Sequence, residues 1–173
     1  MTNLLNKAKQ IKLVIFDVDG VLTDGSLYFS EQGMAFKAFQ VHDGVGIKLL
    51  LENKIEVAVI TQHDSPIVTH RMETLGIQYI YVGETPKLTS YENLLKKINL
   101  KDEQVAYVGD DFPDLPVLRR AGLSIIVANA SPQLLPYVDW QTQKSGGQGA
   151  AREVCDLILQ AQNLMPKIIE KYT

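Results

Sequence analysis

Asp17 and Asp19 stand one residue apart, directly after the apolar run 12–16 (KLVIF) and before Gly20. In a strand, residues two apart face the same side, with Cα atoms roughly 6–7 Å apart. The spacing predicts two carboxylates projecting together from a strand's carboxyl end, although an Asp-Gly pair is also a common turn former. Like charges so close repel, by about 4 kcal/mol at ~4 Å in an intermediate dielectric. Such a site calls for a shared proton or a cation. A second acidic group follows the run 104–108 (QVAYV): Gly109, Asp110, Asp111 and, beyond Phe112 and Pro113, Asp114. Asp110 lies nearest the end of that run. Asp111 and Asp114 have two readings, as caps of a helix beginning near Pro113 or as groups that orient the neighbouring carboxylates. An all-oxygen pocket without His or Cys suits Mg²⁺, which keeps several waters and shares its shell with phosphate. Thr61, just after Ile60, offers a hydroxyl at another run's end. Lys87 offers a cation that can neutralise phosphoryl oxygens.

The elements that must hold these groups are legible as an alternation. Five short β-rich runs, 12–16, 55–60, 78–82, 104–108 and 123–127, are predominantly apolar, as strands buried on both faces are. Between or after them lie helical patterns at 46–53, 65–75, 86–98, 113–121 and 150–160. This order predicts an α/β fold, a three-layer doubly wound parallel sheet. Residues 21–41 break the rhythm: two β-prone stretches flank a Gly33-containing turn, which reads as an inserted hairpin. The whole chain, 1–173, reads as one domain. Residues 146–149 (GGQG) read as a flexible loop, Cys155 as a small buried hydrophobe, and the tail 161–173 as ending loosely from Lys167 onward.

Composition narrows the classes. With 17 Lys and Arg against 20 Asp and Glu, the net charge is −3, which argues against nucleic acid as the main partner. The single Cys155 allows neither an intrachain disulfide nor a Cys-rich zinc cluster. The run at 13–16 is too short to span a membrane, so a cytoplasmic location is expected.

Taken together, the four features resemble those of the haloacid dehalogenase superfamily. Its first motif matches Asp17-Val-Asp19-Gly20-Val21-Leu22-Thr23, its second Thr61, its third Lys87 and its fourth Gly109-Asp110-Asp111 through Asp114. The resemblance implies a Rossmann-like fold and a phosphomonoesterase. Asp17 would be the nucleophile forming an aspartyl-phosphate and Asp19 the general acid and base. Mg²⁺ would be held by Asp17, Asp110 and the Asp19 backbone carbonyl, with Asp111 and Asp114 orienting that shell. Thr61 and Lys87 would hold the phosphoryl group.

The short gaps between motifs leave no room for a large cap domain. The chain therefore resembles the capless branch that acts on phosphorylated sugar acids. That likeness is carried by 17–25, 41–44, Arg71 with its neighbours, 107–111 and 146–157. It implies 3-deoxy-D-manno-octulosonate 8-phosphate, a lipopolysaccharide precursor, as substrate; a nine-carbon sialic-type acid 9-phosphate is the alternative. It also implies a homotetramer whose hairpins associate. Substrate contacts would come from Asp19, Gln40, Val41, His42, Asp43, Gly44, Lys48, His63, Arg71 and Lys87. One departure stands out: the family commonly reads Thr-Gly-Arg at the second motif, whereas this chain has Thr61-Gln62-His63. A phospho-acceptor receiver domain also combines a doubly wound sheet with an acidic site, but it lacks an Asp-x-Asp pair after its first strand.

Overall fold

The computed structural model describes residues 2–173, apart from the side chains of Thr2, Met34 and Ala35. Every apolar run forms a strand: β1 (Leu13–Phe16), β4 (Glu56–Ile60), β5 (Tyr79–Tyr81), β6 (Val105–Gly109) and β7 (Leu123–Ile126). A short sixth strand of the same sheet, β8 (Trp140–Gln141), was not expected, because two residues carry no periodicity. The sheet is parallel throughout, in the order β5-β4-β1-β6-β7-β8. Residues 13–16 of β1 are wholly buried, as a central strand covered on both faces must be.

Helices α1 (Thr2–Ala8), α2 (Val41–Glu52), α3 (Pro66–Leu75), α6 (Ala150–Ala161) and α7 (Met165–Glu170) form one group, in which α6 packs against α1, α2 and α7, and α3 against α2. Helices α4 (Lys87–Ile98) and α5 (Leu115–Leu118) pack together, α4 on β4 and α5 on β6 and β7. From β1 the chain runs outward through β4 and β5, then returns to β6 on the far side of β1. The carboxyl ends of β1 and β6 therefore flank the switch point, where open α/β sheets place their ligands.

Several expectations are corrected. The helix read at 46–53 begins at Val41, where the Gln40 side chain accepts the His42 N–H. Val41, read as the end of the inserted hairpin, is thus the first residue of α2. The helix expected over 113–121 is a 3-10 turn (Phe112–Asp114) followed by only four residues of α5, since Pro113 and Pro116 each remove a backbone donor. The tail is not loose: residues after Asn163 fold into α7, and Ile168 is buried against the core. The segment 21–41 does contain a two-stranded antiparallel hairpin, β2 (Tyr28–Ser30) with β3 (Gly33–Phe36). It forms a sheet of its own. Tyr28 and Phe36 stack at 4.4 Å between ring centroids.

Candidate active site

Three adjacent strands and the helix after β5 deliver the motif residues to one cleft of about 310 Å³, lined by Asp17, Asp19, Thr61, His63, Lys87, Asp110, Asp111 and Asp114 among others. Asp17 follows β1, Thr61 follows β4 and Asp110 follows β6, while Lys87 opens α4. In a parallel sheet all carboxyl ends lie along one edge, so groups distant in sequence converge. Gly25 and Leu27, at the start of the hairpin, and Gln62 complete one side of the cleft. Nothing in their residue types marked them in the sequence.

The carboxylates do not group as the sequence suggested. The chain leaves the strand after Asp17 and turns sharply: the Val18 carbonyl accepts the N–H groups of Val21, Leu22 and Thr23. Asp19 lines the same cleft but is not part of the tight acidic cluster. The tight acidic cluster is instead Asp17, Asp110 and Asp114, each of which offers one oxygen within 4.8 Å of the other two. Gly20 permits this approach. It has a φ of +88°, and a Cβ there would collide with the Asp110 carboxylate.

Lys87 Nζ binds Asp114 Oδ1 at 2.7 Å and lies 2.8 Å from Asp17 Oδ1. Asp114 is saturated. Its Oδ1 also accepts the Tyr107 hydroxyl at 2.6 Å, and its Oδ2 accepts the backbone N–H groups of Asp110 at 2.9 Å and Asp111 at 3.4 Å. Burial, then the charge of Asp114, push the Tyr107 phenol well above its ordinary range, so it remains a donor. Burial works against the charge of Lys87, but Asp17 and Asp114 outweigh it and raise its pKa. Asp111 has a different part: it is exposed, and its side chain accepts the Phe112 N–H at 2.8 Å as a cap. The capping reading holds for both: Asp111 caps the 3-10 turn, and Asp114 completes the same capping box while it also holds Lys87.

Asp17 and Asp110 remain under-compensated. Asp17 is 6% exposed, and its Oδ1 has no donor aimed at it despite the nearby ammonium, which lies outside hydrogen-bonding geometry. Burial, followed by the Asp114 charge, raises its pKa to about 7. Burial, with Asp17 and Asp114, does the same to Asp110. A buried and a half-buried carboxylate whose ionisation is disfavoured, beside a third whose lone pairs are already taken, fit a hard divalent cation held by Asp17 and Asp110.

The loop 146–149, expected to be flexible, is packed against the turn after Asp17. Gly146 is buried, its N–H donates to Asn129 Oδ1, and Gly147 N–H donates to the Val21 carbonyl. A Cβ at Gly146 would collide with the Gly20 carbonyl. This loop therefore clamps the turn that follows Asp17.

Other expected contacts do not reach this cleft. Gln40, Asp43, Gly44 and Arg71 line a separate small crevice with Phe39, and the Arg71 guanidinium sits over the Phe39 ring at 5.9 Å. Asp43 is 2% exposed, and its Oδ1 accepts the Arg152 N–H at 2.7 Å, so it ties α2 to α6. Gly44 is buried, and a Cβ there would lie 2.7 Å from Arg71 Nη2. Val41, His42 and Lys48 are exposed on α2. His42 borders a larger cleft of about 510 Å³ with Trp140, Lys144 and Arg152, which contains none of the strand-end carboxylates. His63 does reach the site, with Nδ1 3.9 Å from Asp19 Oδ2. The charged residue missed is Lys37, which follows β3 and pairs with Asp19. Its side chain is 1% exposed. A lone lysine in a hairpin gives no sequence signal.

Residues 47–154 match the family model for haloacid dehalogenase-like hydrolases. The chain is 49% identical over 161 residues to the 3-deoxy-D-manno-octulosonate 8-phosphate phosphatase of Salmonella typhi, covering 93% of this chain and 86% of that protein. It superposes with a TM-score of 0.97 on the Moraxella catarrhalis phosphatase of the same name, solved in complex with magnesium ion, phosphate ion and a KDO molecule; the two are 43% identical over 100% of this chain and 99% of that one. The Yersinia pestis phosphatase gives a TM-score of 0.93 at 46% identity, covering 95% and 89% of the respective chains.

Proposed function

Because the chain belongs to the haloacid dehalogenase-like hydrolases, we propose that it is the Mg²⁺-dependent phosphatase of 3-deoxy-D-manno-octulosonate 8-phosphate. The observation that carries this reading is a buried, proton-hungry Asp17 at the β1 end, set beside Lys87 and Thr61 in a chain 49% identical to such a phosphatase. Asp17 attacks phosphorus with one carboxylate oxygen, and the bond to the sugar oxygen breaks. Asp19 gives that oxygen a proton, then takes one from the water that hydrolyses the aspartyl-phosphate. Lys87 and Thr61 hold the phosphoryl oxygens, and Asp114 fixes Lys87 from behind. Asp17, Asp110 and the Asp19 carbonyl would hold Mg²⁺, which would supply positive charge against the phosphoryl oxygens. Uncatalysed phosphate-monoester hydrolysis is so slow that enzymes supply up to roughly 10²¹-fold. Positioned charge of this kind is the means available.

The sugar end of the substrate needs further partners. His63, beside Asp19, meets it from within the same chain. Gln40, Val41, His42, Lys48 and Arg71 act, in this reading, on a neighbour's cleft within a homotetramer, where Asp43 and Gly44 hold α2 in place. What favours assembly is the hairpin: Phe29 is 68% exposed and Phe36 55%, and an isolated hairpin presenting such apolar surface is a poor free-standing element. We place the enzyme, acting as a single domain, in the cytoplasm; no helix among the described residues is long and apolar enough to cross a membrane.

Phosphate release from the eight-carbon acid 8-phosphate and from a nine-carbon sialic-type acid 9-phosphate tests the assignment directly. Asp17→Asn should abolish turnover of the former without unfolding the protein. Preference for the nine-carbon ester would overturn the substrate, and turnover by the Asn variant would overturn the nucleophile.

A further inference from the structure

Lys37 joins the hairpin to the site in a way the reaction described above does not use. Its ammonium donates to Asp19 Oδ1 from a side chain that is almost wholly buried, whereas the Asp19 side chain is 26% exposed to the cleft. A buried lysine is costly unless paired, and Asp19 is the one carboxylate that pairs with it among the described residues. The other Asp19 oxygen, Oδ2, faces His63 Nδ1 at 3.9 Å, a distance too long for a hydrogen bond. The two oxygens thus differ in kind. Oδ1 is fixed by the hairpin, and Oδ2 is left to the cleft.

We propose that Lys37 is a positioning residue for proton transfer, holding Asp19 so that Oδ2 alone exchanges the proton. The inference rests on the phosphatase reading and adds a direction to it. As the sugar oxygen–phosphorus bond breaks, that oxygen takes the proton from Asp19 Oδ2. In the second step water bonds to phosphorus, its proton returns to Oδ2, and the Asp17 oxygen–phosphorus bond breaks. Lys37 neither gains nor loses a proton. Because Lys37 follows β3 directly, hairpin and proton transfer are mechanically joined.

The test is Lys37→Met, which keeps the aliphatic stem and removes the charge; Asp19 beside it stays hydrated. With the sugar-acid phosphate, kcat should fall by on the order of tenfold to a hundredfold, with KM nearly unchanged. With an aryl phosphate, whose phenolate departs without a proton, the loss should be several-fold smaller. Lys37→Arg should restore part of the difference. In an Asp19→Asn background, Lys37→Met should cost nothing more. Equal losses on both esters, an unchanged kcat, or a full further loss in the Asn background would each overturn the inference. Full sugar-phosphate turnover by Asp19→Asn alone would overturn the phosphatase role of Asp19 instead. Circular dichroism verifies each variant's fold, and Lys37→Gln replaces the Met variant if that protein does not fold.

Discussion

At the residue scale, the site depends on which carboxylate receives which partner. Asp114 takes Lys87, Tyr107 and two backbone N–H groups, so its charge is fully met. Asp114→Asn unpairs Lys87 from one partner and leaves an amide where only acceptors fit. We expect a loss of about 3–5 kcal/mol in stability, measured by urea unfolding, together with weakened phosphate binding. Asp17 and Asp110 carry the opposite lesson, because both have pKa values raised to about 7. In the metal-free protein the folded state holds protons that the unfolded chain releases near pH 4. Their contribution to stability is therefore fully present below that pH and is lost as pH rises through about 7. With chelator present, the melting temperature should fall between pH 5 and pH 8; Mg²⁺ should reverse the fall, and Asp110→Asn should flatten it. A metal-free melting temperature that rises over that range, with the slope unchanged in Asp110→Asn, would contradict the assignment.

At the element scale, a strand end alone does not aim a side chain; the loop beyond it does. The turn after Asp17 is set from two sides, by hydrogen bonds to the Val18 carbonyl and by the Gly146–Gly147 backbone lying against it. Gly146→Ala would drive a methyl group into the Gly20 carbonyl. We expect the sheet to persist by circular dichroism while kcat falls by on the order of 10²-fold, since small displacements at a reacting centre are costly. Normal turnover in that variant would show that the loop does not position the turn. The strands and most of the helices were legible in the sequence, because continuous apolar runs and helical spacing report burial. The start of α2 at Val41 was not, because exposed Val41 and His42 give its first turn no apolar face. Nor was α7, whose burial depends on α6 being present to cover Ile168.

At the scale of the whole molecule, the hairpin stands apart from the main sheet with Phe29 and Phe36 in solvent, while its far end delivers Lys37 to Asp19. Removing residues 26–36 should reduce the number of subunits per particle derived from light scattering; an unchanged subunit number would refute a role in assembly. The sequence by itself determined the alternation of strands and helices, and hence a parallel sheet whose carboxyl ends gather Asp17, Thr61, Lys87 and Asp110. Residue type and periodicity are local properties that survive without coordinates. Only the tertiary structure decided that Asp114 rather than Asp19 joins Asp17 and Asp110, that Lys37 is the partner of Asp19, and that Arg71 lies against Phe39 away from the cleft. Those outcomes depend on where the backbone turns and on which distant groups must share a buried charge, and neither is written in the spacing of residues along the chain.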